Sequence, residues 1–162
     1  MVGMTADPSP QQSTASAEAA QRLQDAMKRL RARLRAESGQ NATGLTPTQI
    51  AVLGRIIRQG PLTAARLAAL EHVSAQAIAQ SLTVLKAAGL IHTAPDPQDG
   101  RKKLVSADRS ATELLDRLLT GRSDFLVRAI DAVIAPGERA DVEKAVEILE
   151  RLADADLRGG GI

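Results

Sequence analysis

Apolar residues along the 162-residue chain recur mostly at helical spacing, with one short stretch that alternates. Leu23, Met27, Leu30 and Leu34 step by four, three and four, which predicts a helix over 17–37 with one apolar stripe. Its other faces carry Lys28, Arg29, Arg31, Arg33 and Arg35, either a solvated basic face or one that meets DNA or an acidic helix. The preceding Ser-, Pro- and Gln-rich stretch, 1–16, has no period and reads as a disordered tail. A second helix starts on a T-P-x-Q signal. Thr46 is the expected cap, Pro47 the first helical residue, and Gln49 the reciprocal partner of Thr46. Ile50, Leu53 and Ile57, with Val52 and Ile56 beside them, form its inner face, and Gly60-Pro61 ends it.

Two shorter helices follow. Thr63 caps one holding Leu67 and Leu70; Glu71-His72-Val73 turns the chain; Ser74 caps the next, with Ile78, Leu82 and Leu85 inward and Gly89 at its left-handed end. Helices so joined describe a helix-turn-helix. Leu90 to Ala94 and Arg101 to Ser106 then read as strands around a Pro95–Gly100 loop dense in turn formers, a hairpin placed as a wing. Asp108 is the expected cap of a long helix of about 27 residues, which Ala135-Pro136-Gly137 breaks. A last helix to about Asp156 sets Val142, Val146, Leu149 and Leu152 inward beneath an acidic rim, and 157–162 reads as a flexible end. The expected fold class is mostly α with a small β-wing: a winged helix-turn-helix lobe over 46–106, flanked by long helices over 17–37 and 107–156.

Composition narrows the functions. With no cysteine, disulfides, thiolate metal sites and thiol redox sensing are outside the chemistry of this chain. His72 and His92 are too few for a histidine metal centre and read as exposed, capping or structural residues; no cofactor is expected. No Ser/His/Asp order, phosphate-binding loop or carboxylate pair suggests an enzyme. No run is long and apolar enough for a membrane span, and the first residues lack a basic-then-apolar signal pattern, so a soluble cytoplasmic protein is expected. Net charge is only +2, unevenly spread: residues 1–60 hold eight basic against four acidic side chains, and residues 107–162 eight against twelve.

Candidate chemistry sits on the second helix of the pair and on the wing. Turning Ile78, Leu82 and Leu85 inward puts Gln76, Gln80, Thr83 and Ala87 outward. Glutamine can pair with adenine, and Ala or Thr methyls can touch thymine. Ser74, with the amides after it at Ala75 and Gln76, suits a phosphate. A plain solvated polar face is the alternative reading of that helix. Arg101, Lys102 and Lys103 on the hairpin tip the balance, since projecting cations suit phosphates and a narrow minor groove. Asp99 is expected to orient Arg101 by a charge-assisted hydrogen bond.

The stretches LTPTQIAVLGRI, LTAARLAALEHVSAQAIAQSLTVLKAAGLI and DPQDGRKKLV together resemble a MarR-type winged-helix transcriptional regulator, over about Ala17 to Asp156. The wing is the most specific part, fitting a D-x-x-D-x-R pattern at Asp96, Asp99 and Arg101. The resemblance implies a homodimer, most simply a repressor, on a palindromic double-stranded DNA operator. The helix around Ser74 to Lys86 would enter the major groove, Arg101 would reach the minor groove, and Thr63, Ala75, Lys86, Lys102 and Lys103 would assist. The long flanking helices would make the dimer. A small-molecule effector is also implied; Leu30, Ile50, Leu53, Leu118 and Phe125 are the expected pocket, with ordinary core packing as the alternative. After the wing, Ala107-Asp108-Arg109-Ser110-Ala111 departs from the family's usual L-T-x-x-G, and the reading helix lacks the arginines of many relatives, which favours A·T-leaning contacts. The rival class is a winged-helix module that binds protein and not DNA.

Overall fold

A computed structural model describes residues 10–156; the outermost residues at either end, including the whole expected C-terminal tail, lie outside it. Six helices and three strands follow in the order α1 (Pro10–Glu37), α2 (Pro47–Gln59), β1 (Leu62–Thr63), α3 (Ala64–Glu71), α4 (Ala75–Ala87), β2 (Ile91–Pro95), β3 (Lys103–Ala107), α5 (Arg109–Val133) and α6 (Arg139–Ala153). Short 3₁₀ turns at Gln40–Thr43 and Pro136–Glu138 precede α2 and α6. Among the described residues no helix is long and apolar enough to cross a membrane.

Local chemistry explains most boundaries. The Thr46 hydroxyl accepts from the Gln49 amide at 3.2 Å while Gln49 Oε1 accepts from the Thr46 amide at 2.8 Å, a closed capping box. Thr63 and Ser74 cap α3 and α4 in the same way, accepting from the amides of Arg66 and Ala77. His72 takes the left-handed conformation at the end of α3, and Gly89, at φ +67°, turns the chain out of α4. The first helix starts at Pro10, not Ala17: proline is at home in a first turn, and the Gln-Gln-Ser-Thr-Ala-Ser stretch that reads as a tail carries no helix breaker. The wing strands begin one and two residues later than expected. The very short β1 was not foreseen, because two residues leave no alternation to read.

β3 is the central strand of an antiparallel sheet ordered β1-β3-β2, pairing Leu62 with Val105, Thr63 with Leu104, and Thr93 with Val105. The core lies under this lobe. Leu53, Ile56, Leu67, Ile78, Leu85 and Val52 are essentially inaccessible and pack with Leu90, Ile91, Val105, Ala111 and Leu118. Removing each such Leu, Ile or Val side chain from water is worth about 1.5–3 kcal/mol. The partly buried ion pair of Arg55 Nε with Glu71 Oε1, at 2.7 Å, staples α2 to the end of α3. Gly121 lets α5 approach the chain after α1, since a Cβ there would lie 3.0 Å from Ser38 Cα.

The chain divides into two compact units, one reaching Ser123 and one from Asp124 on, with α5 passing from the first into the second. In the second unit, Arg139 Nη2 binds Asp131 Oδ1 at 2.7 Å, and Glu138 caps the turn before α6 through the Ala135 amide. The expected inner face of α6 is not covered: Val142 is half-buried, and Val146, Leu149 and Leu152 are exposed. Helical spacing identifies the stripe on α6 but cannot say whether its cover comes from the same chain.

Candidate nucleic-acid interface

The outward face of α4 is the one the apolar spacing defines. Ser74, Ala75, Gln76, Gln80, Thr83, Lys86 and Ala87 are all exposed, opposite the buried Ile78, Ser81 and Leu85. Ser81 is the unforeseen inner position; its hydroxyl is satisfied by the Ala77 carbonyl at 2.9 Å. Thr83 likewise donates to Ala79 O at 2.9 Å, so its oxygen remains an acceptor while its methyl is available to an apolar contact. The Ser74 oxygen accepts from Ala77 N at 3.1 Å, which leaves its proton and the Ala75 and Gln76 amides available to an anion. Lys86 Nζ lies 3.4 Å from Thr93 Oγ1 and joins the end of α4 to β2. Sixteen-residue or seven-residue separations such as Arg55–Glu71 and Lys86–Thr93 leave no local signal in the sequence.

The wing is built by two aspartates acting on backbone amides. Asp96 Oδ1 accepts from Gln98 N at 2.8 Å and Asp99 Oδ1 from Arg101 N at 3.2 Å, each across two residues, the habit of aspartate in turns. Lys102 N to Asp99 O, at 2.8 Å, and Asp96 N to Lys102 O, at 2.9 Å, close the loop. Asp99 therefore does not hold the Arg101 side chain as expected. Its second oxygen pairs with Lys102 Nζ at 3.3 Å, while the exposed Arg101 guanidinium has no partner among the described residues. The geometric reason is that Asp99 is already turned toward the Arg101 amide. Lys103, exposed, opens β3 opposite Pro95. Thr63 sits half-buried at the other edge of the sheet, its oxygen engaged as the cap of α3.

One other expectation needs correction. Asp108 precedes α5, but its carboxylate accepts no helix amide among the described residues; Oδ1 meets His92 Nδ1 at 2.6 Å and ties β2 to the start of α5. Of the residues expected around an effector, Ile50 and Leu53 are packed in the core, Leu30 is exposed and Phe125 is half-buried. Leu118 lines a cavity of about 470 Å³ together with Leu45, Ala88, Leu90, Leu114 and Arg117. The spacing that marked Ile50 and Leu53 as lining marks core positions equally well.

Two helices joined by a tight turn, a capped outward-facing helix and a hairpin with a cationic tip define a winged-helix protein of the transcription-regulator class. The family model described as "MarR family" matches residues 43–102. A crystal structure of a protein assigned as a transcriptional regulator from Pseudomonas aeruginosa PA01 is 31% identical, covers 92% of this chain and 100% of its own, and superposes with a TM-score of 0.77. An HTH-type transcriptional regulator of Mycobacterium bovis, itself uncharacterised, is 28% identical over 80% of this chain and 88% of its own. MepR of S. aureus, solved bound to an oligodeoxyribonucleotide, shares the fold at a TM-score of 0.62 and 18% identity, over 80% of this chain and 97% of that one. The chain belongs to the MarR family of winged-helix transcriptional regulators, DNA-binding proteins that are not enzymes.

Proposed function

We propose that this protein regulates transcription as a homodimer, most simply as a repressor, with each winged-helix lobe on one half of a palindromic double-stranded DNA operator. The observation that carries the reading is the pairing of an α4 face of small and amide side chains with a wing whose Arg101 is exposed and uncommitted. Gln76, Gln80 and Thr83 read base edges in the major groove. Ser74, Ala75, Thr63, Lys86, Lys102 and Lys103 hold phosphates and fix the register. Arg101 enters the adjacent minor groove or grips its backbone. The uncovered Val146, Leu149 and Leu152 of α6 supply the dimer surface, together with the exposed Met27 and Leu30 of α1. A small-molecule effector, where one acts, changes the spacing of the two lobes.

Fragments of the source genome selected by the purified protein test the reading directly. An enriched palindrome with half-sites about one helical turn apart supports it. Failure to retain any duplex in dilute buffer overturns it and favours a protein-binding winged helix. Leu149→Glu places a charge on the exposed apolar stripe and is expected to leave the protein folded but sedimenting as a monomer. A variant that stays dimeric refutes that surface.

A further inference from the structure

Beyond the β2–β3 ladder, three bonds among the described residues fasten the segment from the end of α4 into β2 to the start of α5. Asp108 N donates to Leu90 O at 2.9 Å and Ser110 Oγ donates to Gly89 O at 2.7 Å, and neither bond responds to pH. The third joins His92 Nδ1, on β2, to Asp108 Oδ1 at 2.6 Å. Histidine is the side chain that ordinarily changes charge between about pH 5 and 8, and carboxylates are ionised throughout that range. This one fastening is therefore an ion pair in mildly acidic solution and ceases to be one as the imidazole discharges.

Asp108 is the only charged contact of His92 among the described residues. Across the ladder His92 faces Ser106 on β3, which carries no titrating group. On α5, Arg109 is bonded to Glu113 at 2.8 Å. On α4, Lys86 reaches Thr93, which the alternation of a strand puts on the opposite face of β2 from His92. A neutral imidazole can still donate to Asp108, but only as the Nδ1–H tautomer and without the charge that strengthens the bond.

The Asp108 carboxylate has a second place to go. It directly precedes α5, where an aspartate ordinarily accepts from amides of the first turn and suits the positive end of the helix. Here it accepts none of them among the described residues and is held by His92 instead. Two positions of one side chain thus compete, pairing with β2 or capping α5, and the charge on His92 biases the choice.

We propose that His92 and Asp108 form a proton-operated latch that ties β2 of the wing to α5 in mildly acidic solution. As the pH rises and His92 loses its charge, Asp108 turns to the first turn of α5 and the hairpin is left to its backbone bonds. The two side chains are 57% and 37% exposed, so water screens the pair and the latch modulates, with no all-or-none transition. Its effect on operator binding rests on the DNA reading above: a looser wing grips the duplex less firmly at higher pH.

The full chain tests this in two ways. Without DNA, backbone amide NMR signals of Ser110 and Ala111 are expected to move between about pH 5.5 and 8 in wild type. They should move equally in His72→Asn, which removes the other histidine and suits the left-handed turn, and stay still in His92→Gln. With a labelled duplex from the genomic selection, at fixed ionic strength, anisotropy should show binding about two- to fivefold tighter per lobe at the acidic end. Asp108→Asn can still cap α5, and should abolish that difference while the chain stays folded. Amide signals that ignore pH, or that move equally in His92→Gln, overturn the latch. So does a pH dependence of binding that survives Asp108→Asn, which would place His92 directly on a phosphate. The amide measurement needs no DNA, so the expected movement in a chain that retains no duplex supports the latch and refutes the DNA reading instead.

Discussion

Replacing Arg101 with alanine isolates the wing tip from everything that shapes it. The turn is held by the Arg101 amide on Asp99 Oδ1 and by backbone bonds between Asp96, Asp99 and Lys102, all of which alanine preserves. The lost guanidinium is exposed and has no partner among the described residues, so its removal frees no buried partner there. Each cation that neutralises a phosphate releases counterions and steepens the dependence of log affinity on log salt by about 0.9. Two copies per duplex give about 1.8. Between roughly 50 and 200 mM salt, wild-type affinity should therefore fall about twelvefold more than that of the variant. Fluorescence anisotropy on a labelled operator across that range measures the two slopes, and random duplex should show the same difference. Parallel lines would refute the placement of Arg101 on the DNA.

Asp99→Asn keeps an acceptor for the Arg101 amide but removes the charge that holds Lys102, so binding at low salt should tighten with a steeper salt slope; weaker binding would show that the Asp99–Lys102 pair itself positions the wing. Gln80→Ala should lose about 1–3 kcal/mol on the cognate site and little on random sequence, and equal losses in a competition assay would exclude base reading there. Ser74→Ala removes the cap of α4 and should cost about 1 kcal/mol in urea unfolding, together with a loss of DNA affinity that is independent of sequence; an unchanged midpoint would contradict the capping geometry.

Legibility in the sequence followed the range of the interaction. The capping box at Thr46, the caps at Thr63 and Ser74 and the left-handed Gly89 all act within about four residues, and each occurs where the sequence places it. The inward Ile78 and Leu85 are equally local, because helical periodicity alone sorts them. Pairings across space left no such trace. Asp108 looked like a helix cap because cap residues are short and polar, yet a histidine sixteen residues away claims its carboxylate. Asp99 is expected from the sequence to hold the Arg101 guanidinium, but a list of adjacent charges cannot tell that group from the Arg101 amide and Lys102, which Asp99 engages instead. The hydrogen bond from Arg122 Nη2 to Gln40 Oε1 spans eighty-two residues and leaves no trace in the sequence for the same reason.

Thr63 stands opposite Leu104 in the ladder and also starts α3. The hairpin and the helix pair thus share a hinge pin, and a tug on one is felt by the other. On the proposed DNA reading, a duplex whose minor groove deflects the hairpin is expected to strain the start of α3 as well, which would couple groove width to the placement of the helix pair.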